Sequence, residues 1–438
     1  MEFVAAEELR IFSKEKTYIK LKNGCMERME QNNQRNAYWS GLLSGLLLAI
    51  LLIGSIFVGK QVFRIFEAKK IAGDVQSKEA ELLNDYTEAK VDIIEDTINQ
   101  YYLEEVDISE LEHGIYTGLV NALEDPYSVY YSAEELKELQ MSSEGIYYGI
   151  GAYISKAATE EYCVISGTIE NTPAEEAGLR ADDIIYMVDG VDTAGMDISE
   201  VVAMIKGEEG TKVVLTLVRE GESDYLEVPV ERRKIESPTV STEMMENDIG
   251  YIEITEFDDV TEDQFAEALA ECKAKGMKGL ILDLRSNPGG NLSTVCEISR
   301  MVLPKGMIVY TEDKYGKRDE YTCDGLRVLQ VPAVVLVNGY SASASEILAG
   351  AMKDHGIATI MGTTSFGKGI VQRVISLSDG SAVKLTVSKY YTPNGNDIHE
   401  KGIEPDVVVE FDADAYYNEG VDNQLQEAIK YLKEQIEK

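Results

Sequence analysis

Three segments of this 438-residue chain carry residue types that could make and break acyl bonds. The first, Val337-Asn-Gly-Tyr-Ser-Ala-Ser-Ala-Ser-Glu346, joins a buried-type strand, Val331–Val337, to a helix. Small residues at such a turn let a serine sit exposed at a helix N-terminus, where free N–H groups can stabilise an oxyanion. Capping is the ordinary use of serine there, and one of the three serines is expected to cap. The second segment, Gly362-Thr-Thr-Ser-Phe-Gly-Lys-Gly-Ile-Val-Gln372, follows a short apolar strand and places Lys368 in a glycine-flanked loop. A free lysine titrates near 10.4, so a base working near neutral pH needs a pKa lower by about 2–3. Desolvation can supply that, although a loop lysine is ordinarily solvated. The third segment, Asp283-Leu-Arg-Ser-Asn-Pro-Gly-Gly290, ends a buried strand in a tight turn whose amides can point inward. An ordinary turn of an α/β domain would read the same.

Other chemistries fit less well. His355 lies twelve residues beyond Ser343 on the predicted helix. That is about 18 Å along the axis, too far for a base. Ser365-Phe-Gly-Lys368 matches the SxxK pattern of penicillin-binding enzymes, but that motif opens a helix. Gly367 and Gly369 predict a loop here, and neither KTG nor SDN follows. The three histidines form no HExxH, and the five cysteines form no CxxC pair. Neither a zinc site nor a disulfide framework is indicated, and no metal or cofactor is expected. The net charge of −37 argues against a nucleic-acid partner, because a polyanion repels phosphate backbones.

The elements that must position these segments follow in order along the chain. A mostly polar segment, 1–36, precedes an uncharged run from Asn36 to Gly59 whose core starts at Trp39. Its 24 positions would make a helix of about 36 Å, enough to cross a bilayer, and place a transmembrane helix at 37–59. Basic residues flank it on both sides (Lys20, Lys22, Arg28 and Arg35 before; Lys60, Arg64, Lys69 and Lys70 after), so charge alone does not orient it. Residues 66–141 read as helical, with capping boxes at Asp107–Glu110 and Ser132–Glu135, and the first long helix could pair with a second copy. Residues 145–232 are short β-rich runs between glycine turns, with one helix at 197–206 capped by Asp197-Ile-Ser-Glu200. Residues 233–415 form a larger α/β domain in which Thr261-Glu-Asp-Gln264 is read as a cap. The tail, 416–438, contains an amphipathic helix.

Together the segments resemble the carboxyl-terminal processing peptidases, the tail-specific serine proteases, over about residues 80–437. The motifs that carry the resemblance are Asp125-Pro-Tyr-Ser128, Gly149-Ile-Gly151, Pro173-Ala-Glu-Glu-Ala-Gly-Leu179, Asp283–Gly290, Ser341–Glu346, Phe366-Gly-Lys-Gly-Ile-Val-Gln372 and Tyr391-Thr-Pro393. The resemblance implies Ser343 as nucleophile, Lys368 as base and Gln372 as the residue that orients the lysine. It implies an oxyanion hole from the amide of Ala344 and one amide of the Pro-Gly-Gly turn, Gly289 or Gly290. It also implies a crotonase- or Clp-protease-like α/β catalytic domain, so the whole chain is expected to be a multidomain α/β protein behind a transmembrane helix and a helical region.

Residues 145–232 resemble a bacterial PDZ domain, which captures an extended C-terminal tail by adding it to a sheet edge. Ile150, Gly151 and Ala152 would supply the carboxylate loop. Val202 and Ile205 are candidate pocket residues, and they read equally well as ordinary core. Lys206 stands where family members often carry a basic residue that couples the PDZ domain to the active site. After Tyr391-Thr-Pro393 the family often has an arginine; this chain has Asn394-Gly-Asn-Asp397. The expected function is a membrane-anchored serine endopeptidase acting on protein substrates with accessible C-termini. Its catalytic body would lie outside the cytoplasm, and its N-terminal helices would be able to form a homo-oligomer. The alternatives are a PDZ scaffold with a silent protease domain and a crotonase-type hydrolase or isomerase.

Overall fold

The structure is a computed structural model that describes residues 82–156 and 161–438. The segment 1–36, the apolar stretch 37–59 and the first part of the 66–141 region lie outside the described residues. Among the described residues no helix is long and apolar enough to cross a membrane. The chain divides into two compact units, 1–111 and 112–438.

In the first unit, α1 (Asp85–Tyr101) is capped by Asn84, whose side chain accepts from Tyr86 N and Thr87 N. It buries no residue of its own. Helix α2 (Ile108–Asn121) begins at the unit boundary, where Asp107 accepts from Ser109 N at 2.9 Å. Strand β1 (Val129–Tyr131) follows the Asp125–Ser128 turn. Helix α3 (Ala133–Glu144) then starts with the expected capping box, Ser132 to Glu135.

The β-rich segment opens with β2 (Ile146–Gly149) and β3 (Ala152–Ser155). The chain turns between them at Gly151, within the Gly149-Ile-Gly151 loop, where φ is +79° and a Cβ would stand 2.4 Å from Thr172 Cβ. Strands β4 (Val164–Thr168), β5 (Ile184–Val188), β6 (Val191–Asp192), β7 (Lys212–Val218) and β8 (Leu226–Glu231) join β3 in one antiparallel sheet. The short helix α4 (Pro173–Glu176) follows β4, and α5 (Ile198–Ile205) follows β6. Ile165, Ile185, Val201, Leu215 and Leu217 are the centre of its core. Strand β9 (Arg233–Glu236) pairs with β2, so the sheet is entered and left through one two-stranded ribbon.

The larger domain is a six-stranded sheet in the order β10 (Val240–Met245), β11 (Ile249–Ile254), β12 (Gly279–Asp283), β15 (Ala333–Val337), β16 (Ala358–Gly362) and β19 (Val407–Val408). All pairings but the first are parallel. Between these strands lie α6 (Thr261–Ala274), α7 (Leu292–Arg300) and α8 (Ala344–Asp354). Helices cover both faces, which is why β12 and β15 are buried at every position and read as unbroken apolar runs. Leu280, Leu282, Val335 and Val337 pack with Phe265, Ile298 and Leu348 on one face. Ile281, Val334 and Leu336 pack with Ala428 and Leu432 on the other. These last two belong to α10 (Asn423–Ile436), which follows the short α9 (Ala413–Glu419). A second, five-stranded sheet holds β1, β13 (Gly306–Asp313), β14 (Arg318–Cys323), β17 (Ile370–Ser376) and β18 (Ala382–Tyr391).

Two local expectations change. Thr261 does not cap α6; it is the first helical residue, and its hydroxyl is taken by Asp258 N and Glu256 O. Gln264 reaches instead to the Thr239 N–H and the Ser237 carbonyl. Tertiary partners have displaced the local cap. Gln372, read as part of a loop, lies on β17 directly opposite Thr386 of β18.

Candidate active site

The three serines between β15 and α8 separate by their partners. Ser341 is buried, and its hydroxyl donates to Leu284 O at 2.7 Å. Ser345 is buried, and its hydroxyl donates to Asn287 O at 3.0 Å. Both fasten this turn to the 284–287 segment. Ser343 is half-buried and sits at the N-terminal end of α8 with φ +53° and ψ −112°. A side chain other than glycine at that φ is strained, by roughly 1–3 kcal/mol, and persists only where the surroundings enforce it. Here they do. Ser343 N donates to Glu346 Oε2 at 2.8 Å, and Tyr390 Oη donates to Ser343 O at 3.0 Å. Ala342 N donates to Asn287 O.

Glu346 is the hub of the site and is 1% exposed. Its Oε2 also accepts from Lys368 N at 2.9 Å; its Oε1 accepts from Ser365 Oγ at 2.6 Å and Gly367 N at 2.7 Å. One buried carboxylate thus ties the serine turn to the lysine loop. It also pushes the Tyr390 hydroxyl up, after burial, which is the larger cause. In the sequence Glu346 is only the last residue of the Ser341–Glu346 motif. Its one local mark is an acid three residues beyond a candidate nucleophile, in the first turn of a helix whose next six residues are apolar.

The Pro-Gly-Gly turn lies against the serine. A Cβ on Gly289, where φ is +106°, would stand 2.8 Å from Ser343 Cβ and 2.9 Å from Ala344 N. Gly289 N is already committed to Asn287 Oδ1 at 2.8 Å. The bridge from this turn to Phe257 uses Gly289 O and Asn291 N. Asn287 is fully buried and also donates to Ile254 O, so it fixes the turn from inside.

Lys368 is half-buried, and its pKa is lowered, first by burial and then by the like charge of Lys384, against the pull of Asp125 and Glu346. Among the described residues no hydrogen bond joins Lys368 to Ser343 or to Gln372. The ammonium lies instead over the ring of Tyr127, 4.5 Å from its centroid. Gln372 Nε2 donates to Thr386 Oγ1 at 3.2 Å. The serine and lysine loops are therefore tied together through Glu346 and the backbone, while among the described residues no hydrogen bond joins their side chains. In unliganded sites catalytic hydrogen bonds are often long or unformed.

The six residues expected to line a peptide groove do come together. Ile150, Gly151, Ala152, Val202, Ile205 and Lys206, with Tyr147, Gly149 and Ile154, surround a cavity of about 180 Å³. Ile150 and Ile205 also belong to the domain core. Val202 is half-buried, and Lys206 is exposed with its ammonium 5.4 Å from the Tyr147 ring centroid. Arg232 finishes the wall helix by donating to the Ile205 and Met204 carbonyls at its C-terminus. That role was not visible in the sequence.

Comparison with known proteins shows the family and its domains. The family model for peptidase family S41 matches residues 248–409, a PDZ domain model matches 164–219, and a model of the activating protease CtpB N-terminal domain matches 49–135. The carboxy-terminal processing protease CtpA of Bacillus subtilis is 38% identical over 333 residues, 74% of this chain and 71% of that one. CtpB of the same organism is 34% identical over 373 residues, 83% of this chain and 77% of that one. A carboxyl-terminal-processing protease of Synechocystis is 38% identical over 296 residues, 67% of this chain and 69% of that one. The chain belongs to peptidase family S41, as a serine-type peptidase of the carboxyl-terminal processing kind with a PDZ domain ahead of its peptidase domain.

Proposed function

We propose that this chain is a membrane-anchored serine endopeptidase that captures protein C-termini in its PDZ groove and cleaves them with a Ser343–Lys368 dyad. The observation that carries the reading is the Glu346 carboxylate, which binds both Ser343 N and Lys368 N and so links the two loops. In the proposed reaction the Lys368 side chain rotates from the Tyr127 ring to the serine. Its neutral amine takes the Ser343 proton, and Ser343 attacks the peptide carbonyl. The oxyanion is held by the Ala344 amide and by Gly290, since Gly289 N is engaged with Asn287. As the oxyanion collapses the C–N bond breaks, the Lys368 ammonium returns its proton to the leaving amine, and water then hydrolyses the acyl-enzyme with Lys368 again as base. Gln372, its NH2 given to Thr386, leaves its carbonyl oxygen as an acceptor for the lysine. The largely parallel sheet covered on both faces supports the crotonase and Clp-protease likeness.

The uncharged run at 37–59 supports a single-pass anchor, and the family resemblance, not the flanking charge, supports a catalytic body outside the cytoplasm. Exposed apolar residues on α1 and α2, among them Ile94, Ile115 and Leu119, support a homo-oligomer through the helical region. The test of the dyad is turnover of a protein with an apolar C-terminus. Ser343→Ala and Lys368→Ala are each expected to abolish it, and full cleavage by either purified variant refutes the assignment. Protease accessibility on intact cells tests the topology.

A further inference from the structure

The turn Asp125–Ser128 precedes the PDZ domain by some twenty residues, and the model that matches it is that of an N-terminal domain. In the structure it belongs to the catalytic sheet. Strand β1 pairs with β18, Val129 opposite Lys384, and Ser128 Oγ accepts from Thr386 N at 3.2 Å. The same Thr386 takes the Gln372 amide on its hydroxyl, and its side chain helps to hold the Asp125 carboxyl below its ordinary range. Asp125 accepts further from Ser128 Oγ at 2.6 Å and Tyr127 N at 3.0 Å. This clamp sets the Tyr127 ring under the Lys368 ammonium at 4.5 Å.

We infer that Tyr127 is a positioning residue for the base: its ring seats the charged form of Lys368 in the resting enzyme, and Asp125 holds that ring in place. The inference rests on Lys368 being the base. Four groups face the lysine. Lys384 on β18 disfavours its charge, Asp125 on the turn and Glu346 on α8 favour it, and the Tyr127 ring face adds a fourth, charge-favouring contact. A neutral lysine has no such attraction to a ring, so the seat releases the side chain as the proton leaves. The sign follows. A contact that favours the ammonium raises the lysine pKa, and its removal lowers the pH at which the base becomes active.

The experiment is the pH profile of kcat for the full-length enzyme on a peptide with an apolar C-terminus. Tyr127→Phe keeps the ring and is expected to leave the acid limb where wild type has it. The same substitution made with difluoro- and trifluorophenylalanine keeps the shape and weakens the ring's negative face. The limb is then expected to move to lower pH stepwise with fluorine number. Tyr127→Leu, which removes the ring, is expected to move it by about half a pH unit to one unit. A merely structural role would lower the plateau and leave the limb in place. Superimposable limbs across the fluorinated series, or a limb displaced to higher pH, overturn the inference. Lys368→Ala runs beside them. If it retains cleavage, the dyad itself is wrong; if it is inactive and the fluorinated limbs do not move, only the role of Tyr127 fails.

Discussion

In the groove between β3 and α5, side chains make the working surface. Ile150, Ile154, Val202 and Ile205 present hydrocarbon beside β3, the end strand of its sheet, and Arg232 takes the carbonyls at the end of α5. At the serine the roles are reversed. In the proposed reaction the working groups beside the nucleophile are the amides of Gly290 and Ala344 on a strained backbone, while the side chains nearby, Ser341, Ser345, Asn287 and Glu346, are buried and hold main chain in place. The contrast follows from what each site must do. A groove that adds a strand needs an apolar floor and a free edge. A transition-state site needs donors fixed before the charge develops, so its supporting hydrogen bonds must already be made.

The contrast breaks first at Glu346. Glu346→Gln keeps the shape but turns an NH2 toward two of the four donors that the carboxylate accepts. A buried donor left facing a donor costs about 1–3 kcal/mol, and here it also frees Ser343 from its enforced backbone. The expected result is a fall in kcat of about 100- to 1000-fold. Binding of a fluorescent C-terminal peptide to the groove is expected to stay within about twofold of wild type. Loss of peptide binding in step with kcat would show that the two sites are not built independently.

The complementary change is Val202→Asp. It puts a carboxylate into the apolar lining beside the position where a peptide carboxylate would lie. An unpaired charge there weakens tail binding by about 2 kcal/mol or more, roughly 30-fold. For a long substrate KM should rise while kcat for a short peptide that needs no capture holds. Anisotropy with a labelled tail peptide reads the first, and a short chromogenic substrate reads the second. If both substrates lose kcat, Val202 is reporting on the fold and not on the groove.

The same contrast sets what the sequence could disclose. Groove residues were legible because helical spacing puts Val202 and Ile205 on one side of a capped helix, and because Gly151 marks the break before β3. Parallel strands β12 and β15 were legible as apolar runs. Ser343 could be proposed from small residues at a strand-to-helix turn, but its neighbours Ser341 and Ser345 were equal candidates until the 284–287 backbone was seen to engage both. Contacts across long separations left no local mark. Glu346 to Gly367, Asn287 to Ile254 and Tyr127 to Lys368 each join residues distant in sequence. The failed cap at Thr261 has the same origin, since Gln264 found its partners in the segment 237–239 that leads into β10.

Asp258 bears on both regions, because it sits where the catalytic turn meets the ribbon that leads to the PDZ domain. Its neighbours make the junction: Phe257 N donates to Gly289 O, and Asp259 N donates to Ser143 O just before β2. Asp258 is 7% exposed, and burial, then the charges of Glu256 and Asp259, push its pKa up to about 7. A carboxyl group held above its unfolded value keeps its proton longer in the folded state. The folded chain therefore binds more protons than the unfolded one between about pH 4 and pH 7, and stability falls as pH rises through that window. Above it the penalty is constant. Asp258→Asn removes the ionisation, so its melting temperature should match wild type near pH 4 and exceed it near pH 8. The gain should be about 1–2 kcal/mol once relaxation of the turn toward water is allowed for. If the charge also loosens the junction, the substitution should raise kcat or KM above pH 7 and leave both unchanged below pH 5. A stability gain with no such pH-linked change in turnover would confine Asp258 to the fold and leave groove and serine joined only by the ribbon.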